Sequence, residues 1–205
     1  MTTIAWDGKT LAVDKASWKN EVWTPVTKLF EVVLCGESMS ALCLTHPRIV
    51  WAAAGSARNV PVVLEWMRGG GSRPVFMEDD QKTAIGLVVE IDTGRCFGLT
   101  GILTLEPYDP GPVSDGMGNE IALGAMLAGA SATRAIEIVS MRSCWAAGGV
   151  DSFVLPTESG VGSSEPFDVD TSILGRVKTF LSGTTESGGP GCRPGTPPDS
   201  ARCPR

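Results

Sequence analysis

A β-hairpin is written into the first fourteen residues, and it leaves few folds open to the chain. Ile4 and Trp6 alternate with smaller side chains, Asp7-Gly8 supplies a two-residue turn, and Thr10 to Val13 returns as a second strand. The first strand begins at Thr3, where chain ends ordinarily fray. An ordered strand there needs a reason, and burial of the α-amino end beside a sheet would be one.

The pattern downstream extends this reading. Val26 to Val33 reads as a strand, and Ile49 to Ala54 as another that runs into a turn at Gly55-Ser56. The segment between them, Leu34 to Pro47, fits either a loop or a short helix. Apolar residues at Val60, Val63, Leu64 and Met67 predict a helix over 59–68, with Pro61 in its first turn and Gly69 to Gly71 at its end. Ala84–Ile91 and Arg95–Leu99 flank Asp92-Thr93-Gly94 as a second hairpin. Pro107 to Pro112 reads as loop. Two helices follow, at about 119–128 and from a cap at Ser131 to Arg142, the second presenting Ala135, Ile136 and Val139 on one face. Gly148-Gly149 leads into a last strand, 150–155. Two hairpins, helical segments and a returning strand predict layered α+β packing, with sheets between helices. Residues 156–182 read as an extension, with a short helix expected at 168–181. The final 23 residues hold five Gly and five Pro and predict a disordered tail, 183–205.

Composition removes several classes of function. The net charge is −6 with no Lys/Arg-rich stripe, which argues against nucleic-acid or anionic-membrane partners. A single histidine, His46, makes Ser-His catalysis or a multi-histidine zinc site hard to build. Six cysteines without a C-x-x-C pair, four of them (Cys35, Cys43, Cys96, Cys144) in apolar settings, read as reduced thiols of a cytoplasmic protein. No signal-peptide pattern and no run of about 18 apolar residues is present. No metal or cofactor is expected. Glu78, Asp79 and Asp80 read as a solvated acidic turn, Cys144 as packing, and Trp18 and Trp23 as core, site mouth or subunit contact.

The chemistry points to the start of the chain. Methionine is generally removed when the next residue is small, and Thr2 then carries a hydroxyl and a free amine on one residue. Such an amine titrates near pH 7.7–8.0 and can take the hydroxyl proton without a histidine. Asp14 ends the returning strand of the hairpin and can lie beside the N-terminus; Lys28 enters the next strand. A lysine near Thr2 would stabilise the alkoxide and lower the amine pKa, and a carboxylate would hold that lysine. Each of these three residues taken singly also fits an ordinary processed terminus or a solvated charge.

Together, Thr2-Thr3-Ile4-Ala5, Asp14 and Thr27-Lys28-Leu29 resemble the proteasome β-subunit family of N-terminal-nucleophile hydrolases. The likeness is nearest to the bacterial proteasome-like subunit HslV and its short phage-encoded relatives. Ala54-Gly55-Ser56, Gly116-Met117-Gly118, the small-residue run 122–132 and Gly148-Gly149-Val150-Asp151 extend the likeness over residues 2–155. The resemblance implies a four-layer αββα sandwich over 1–155 and a threonine-type peptidase acting on peptide or protein substrates. It implies Thr2 as nucleophile, Asp14 and Lys28 as its charge partners, and a backbone N–H near Ala52 as oxyanion donor. It also implies a homo-oligomeric ring served by an ATP-dependent unfoldase. Two departures stand against it. Met117 occupies a position where the family has a serine near the threonine, and Arg142-Ser143-Cys144 lacks an expected acid. They leave open a second reading, a weakened or inactive subunit with a structural or interaction role.

Overall fold

β1 (Thr3–Trp6) and β2 (Thr10–Asp14) form the expected first hairpin, with Ile4 opposite Val13 and Trp6 opposite Leu11. They belong to a computed structural model that describes residues 2–19, 22–76, 85–142 and 148–156. The chain continues through β3 (Ala16–Lys19), β4 (Val22–Pro25), β5 (Leu29–Val33), α1 (Gly36–Ala41), β6 (Arg48–Ala54) and α2 (Asn59–Gly69). It is completed by β7 (Ile85–Glu90), β8 (Cys96–Leu99), β9 (Leu105–Pro107), β10 (Val113–Gly116), α3 (Asn119–Leu127), α4 (Ala132–Arg142) and β11 (Val150–Val154). Among the described residues the fold is thus mixed α and β.

One antiparallel sheet has the order β10-β1-β2-β11, a second β5-β6-β7-β8-β9, and β3 and β4 pair as a separate ribbon. Successive side chains of a strand point to opposite faces, so each strand here can serve two cores. In the first sheet Ile4, Trp6, Leu11 and Val13 meet Val50, Ala52, Leu87 and Val89 of the second sheet in one apolar cluster. The intervening Ala5 and Ala12 meet Ala122, Met126, Ala135 and Ile136 of α3 and α4. On the far face of the second sheet, Ile49, Trp51 and Val88 meet Val63, Trp66 and Met67 of α2. Strands covered on both faces read as continuous apolar runs, as Ile49 to Ala54 does. Alanine at two of the helix-facing positions of the first hairpin, Ala5 and Ala12, lets α4 lie close to the sheet.

Several elements depart from the expected pattern. The polar stretch holding Trp18 and Trp23 pairs as the β3–β4 ribbon, with those two residues opposite each other. Val113 to Gly116, not anticipated as a strand, pairs with β1 as the edge of the first sheet. Both carry little apolar alternation, because a ribbon or edge strand is held mainly through its backbone. The ambiguous 34–47 segment contains α1, capped at its start by the Cys35 thiol, which accepts from the Ser38 N–H at 3.4 Å. Its end is a Schellman turn: Cys43 N–H donates to the Ser40 carbonyl and Leu44 N–H to that of Met39. Cys43 takes the left-handed position, φ 56°, and is exposed, which corrects its apolar reading; Cys35 is half-buried. Cys96 is buried as expected, and burial pushes its thiol up to about 12. The helix expected at 168–181, the tail, the acidic turn at 78–80 and Cys144 lie outside the described residues. No helix among those described is long and apolar enough to cross a membrane.

Candidate active site

The register of the first hairpin fixes the site. β2 runs back alongside β1, so Asp14, its last residue, lies beside Thr3 and next to the start of the chain. Asp14 is fully buried. Its Oδ1 accepts from the Thr3 N–H at 2.6 Å, and its Oδ2 accepts from the Ala16 N–H at 2.9 Å and from Lys28 Nζ at 3.1 Å. The same ammonium nitrogen donates to Thr2 Oγ1 at 3.0 Å. The three side chains singled out in the sequence therefore form one hydrogen-bonded chain, Asp14–Lys28–Thr2, although residues 2 and 28 are far apart in sequence.

Lys28 precedes β5 and is only 8% exposed. Its carbonyl accepts from the Ala53 N–H of β6 at 2.7 Å, which pins the lysine backbone to the second sheet while its side chain crosses to the first. Burial lowers the Lys28 pKa from its ordinary value, and the Asp14 carboxylate beside it opposes that shift. A lysine so placed is poised to exchange a proton or to stabilise negative charge on the threonine oxygen.

Thr2 is held from the other side by the segment leading into α3. Met117 N–H donates to the Thr2 carbonyl at 3.0 Å, and Gly118 N–H donates to Thr3 Oγ1 at 3.2 Å. Both flanking glycines are needed for this approach. Gly116 has φ +90°, and a Cβ there would strike the Thr2 carbonyl oxygen; one at Gly118 would strike Val139 and the Thr3 hydroxyl. The Met117 side chain is 60% exposed. Its contribution beside Thr2 is the backbone N–H.

A cavity of about 420 Å³ opens at Thr2 and Lys28. One side is formed by Val26, Thr27 and Phe30, the other by Val60, Pro61 and Leu64 of α2. Ala53, Ala54 and Gly55 border it at the end of β6. Ala52, expected to offer its N–H, does not line this space: it is fully buried and paired with Leu29 and Leu87. The Ala53 N–H is already given to Lys28, so Ala54 and Gly55 are the neighbouring backbone groups at the cavity. Sequence reasoning did not find Thr3, Ala16 or the Gly118 N–H as parts of the site. Their roles are backbone or backbone-directed, and only the Gly-x-Gly spacing before α3 hinted at one of them. Ser143, at the position where an acid was missed, lies outside the described residues.

The sequence matches no protein-family model and no curated protein. Solved structures do match. Thiobacillus denitrificans BPH in complex with epoxomicin aligns with a TM-score of 0.52 at 16% identity, over 76% of this chain and 99% of that one. HslV from Trypanosoma brucei aligns with a TM-score of 0.51 at 16% identity, over 77% and 100%. The Pseudomonas aeruginosa Anbu complex, described as a helical assembly, aligns with a TM-score of 0.53 at 12% identity, over 88% and 94%. At these identities the likeness is one of fold: the chain has the fold of HslV and proteasome β-type proteins.

Proposed function

We propose that this chain is a threonine-type peptidase subunit whose nucleophile is Thr2, freed as the N-terminal residue by removal of Met1. The observation that carries the reading is the chain of contacts from Asp14 through Lys28 to Thr2 Oγ1, at 3.1 and 3.0 Å. The α-amine of Thr2 takes the hydroxyl proton as Oγ1 attacks the substrate carbonyl carbon. The Lys28 ammonium stabilises the developing alkoxide, and Asp14 balances and orients Lys28. The tetrahedral oxyanion takes hydrogen bonds from backbone N–H groups at Ala54 or Gly55, in place of Ala52. Collapse breaks the amide bond, the leaving amine departs with the proton, and Thr2 holds the acyl group as an ester. Water, deprotonated by the same α-amine, then releases the acid.

The stacking of helices, two facing sheets and helices supports the four-layer αββα arrangement of such hydrolases over residues 1–155. A homo-oligomeric ring in the cytoplasm, fed peptide or protein by an ATP-dependent unfoldase, belongs to the same reading. The helical assembly named for the Anbu structure supports a homo-oligomer, and the ring, its location and the unfoldase follow only from the likeness to HslV.

A second reading, a subunit of the same fold that assembles without turnover, draws on Met117, which offers no hydroxyl at its position. Intact mass after exposure to a β-lactone or a peptide epoxyketone separates the two. The peptidase reading expects loss of Met1, one adduct on the wild type and none on Thr2→Ala. Equal labelling of both proteins, or none of either, excludes it.

A further inference from the structure

We propose that Lys15 and Asp151 are positioning residues of the Thr2 site, and that their ion pair sets the angle at which the chain presents Asp14 and Lys28 to each other. The proposal rests on the peptidase reading and adds to it two residues that act through others.

Three segments of the site meet at Lys15. It lies between Asp14 and Ala16, whose N–H donates to Asp14 Oδ2 at 2.9 Å. Its own N–H donates to the Gly149 carbonyl at 3.1 Å, just ahead of β11. Its carbonyl accepts from the Val26 N–H at 2.8 Å, on the approach to Lys28. The backbone of one residue thus joins the carboxylate, the closing strand and the lead into the lysine. A backbone held at two points can still rock about the line through them, and a side-chain anchor removes that freedom. Lys15 Nζ supplies it by reaching Asp151 Oδ1 at 3.0 Å. Asp151 follows Val150, the β11 residue that pairs with Asp14, so the anchor sits on the strand beside the carboxylate.

Stability gives the pair little reason to be there. Its side chains are 31% and 23% exposed, a setting in which an ion pair contributes little. Asp151 Oδ2 is buried with no hydrogen-bond partner among the described residues, which is unfavourable. Location gives a better reason. Ala16, Val26, Thr27 and Lys28 line the cavity at Thr2, whereas neither Lys15 nor Asp151 is among its lining residues. The pair therefore sits behind the segments that carry the site. Misplacing a reacting group by about 1 Å can slow a reaction by about 10²-fold.

The test follows labelling of Thr2 by a small β-lactone from about pH 6 to 9, read by intact mass. It compares full-length wild type, Asp151→Asn, Lys15→Met and the double variant, with urea midpoints measured alongside. Lys28 and Asp14 are the titratable side chains bonded at Thr2 and Thr3, Lys15 and Asp151 stand behind them, and Asp115 of β10 is turned to the Gly116 N–H. The Lys28 ammonium lowers the Thr2 α-amine pKa by like-charge repulsion, so letting it drift from Thr2 moves the labelling midpoint to higher pH. Each single variant should label at least about tenfold more slowly near neutral pH, with that upward shift and a urea midpoint close to wild type. The double variant should be no slower than the singles, because each has already lost the pair. Lys15→Met carries the test if Asp151→Asn does not fold. Wild-type rates in the variants, slower labelling with an unmoved pH midpoint, or additive losses in the double variant each overturn the proposal. A wild type that takes no label sinks the peptidase reading itself; one that labels beside unaffected variants removes only the positioning role.

Discussion

Asp14 accepts three hydrogen bonds at zero exposure, and each partner has a different consequence. The Thr3 N–H ties the carboxylate to the residue after Thr2, the Ala16 N–H ties it to the start of β3, and Lys28 links it to the Thr2 hydroxyl. Buried charges of this kind are costly to break from one side, because the remaining partner is left uncompensated. Asp14→Ala is therefore expected to lower folding stability by about 3–5 kcal/mol and to abolish Thr2 labelling. Urea unfolding measures the first effect and intact mass the second; a variant within about 0.5 kcal/mol of wild type would show the pair to be structurally idle. Thr2, Asp14 and Lys28 were legible in the sequence because their chemistry is in their side chains and the hairpin brings two of them together. The backbone N–H near Ala52 was expected as an oxyanion donor, and Ala52 itself is buried and paired on both sides, away from the cavity lining. Four small residues in a row, Ala52 to Gly55, give no sequence signal for which N–H is left over by the sheet; that depends on the pairing of Ala53 with the Lys28 carbonyl.

At the scale of elements, strands that feed two cores announced themselves, and strands held by backbone alone did not. Ile49 to Ala54 and, glycine aside, Ile85 to Val89 carry apolar runs because both faces are covered. β10 offers only Val113 as a buried residue, so its pairing with β1 had no hydrophobic trace. Yet β10 and the turn after it determine where Thr2 sits. Gly118→Ala tests that dependence, since the new methyl would collide with Val139 of α4 and with the Thr3 hydroxyl. Overpacking of this sort costs about 1–3 kcal/mol. The variant should unfold at lower denaturant and label more slowly than wild type. Full stability together with full labelling would mean that the α3 entrance does not position Thr2.

For the whole molecule, the buried lysine makes stability depend on pH in a definite sense. Its pKa in the folded chain is lowered, so between that value and the ordinary 10.5 the unfolded chain binds more protons than the folded one. Stability contributed at this site accordingly rises with pH through that window, and the cost of the buried charge is fully present below it. Cys96 acts oppositely, since its raised pKa favours protonation in the folded chain between the ordinary 9.0 and about 12. Urea midpoints from pH 7 to 10 for wild type and Lys28→Met separate the two, because Cys96 is common to both. The wild-type midpoint should climb relative to the variant as pH rises; a constant difference would mean that Lys28 does not titrate in that range.

The threonine owes its position to a strand clamped along both edges, by β2 and by β10. A residue mounted this way has no hinge of its own, and displacing it means peeling apart the centre of a sheet. Control by swinging Thr2 in and out of place is therefore the costly route. Control is cheaper at the doorway, by governing what reaches the hydroxyl, so regulation should be sought in whatever covers the opening between α2 and residues 26–30.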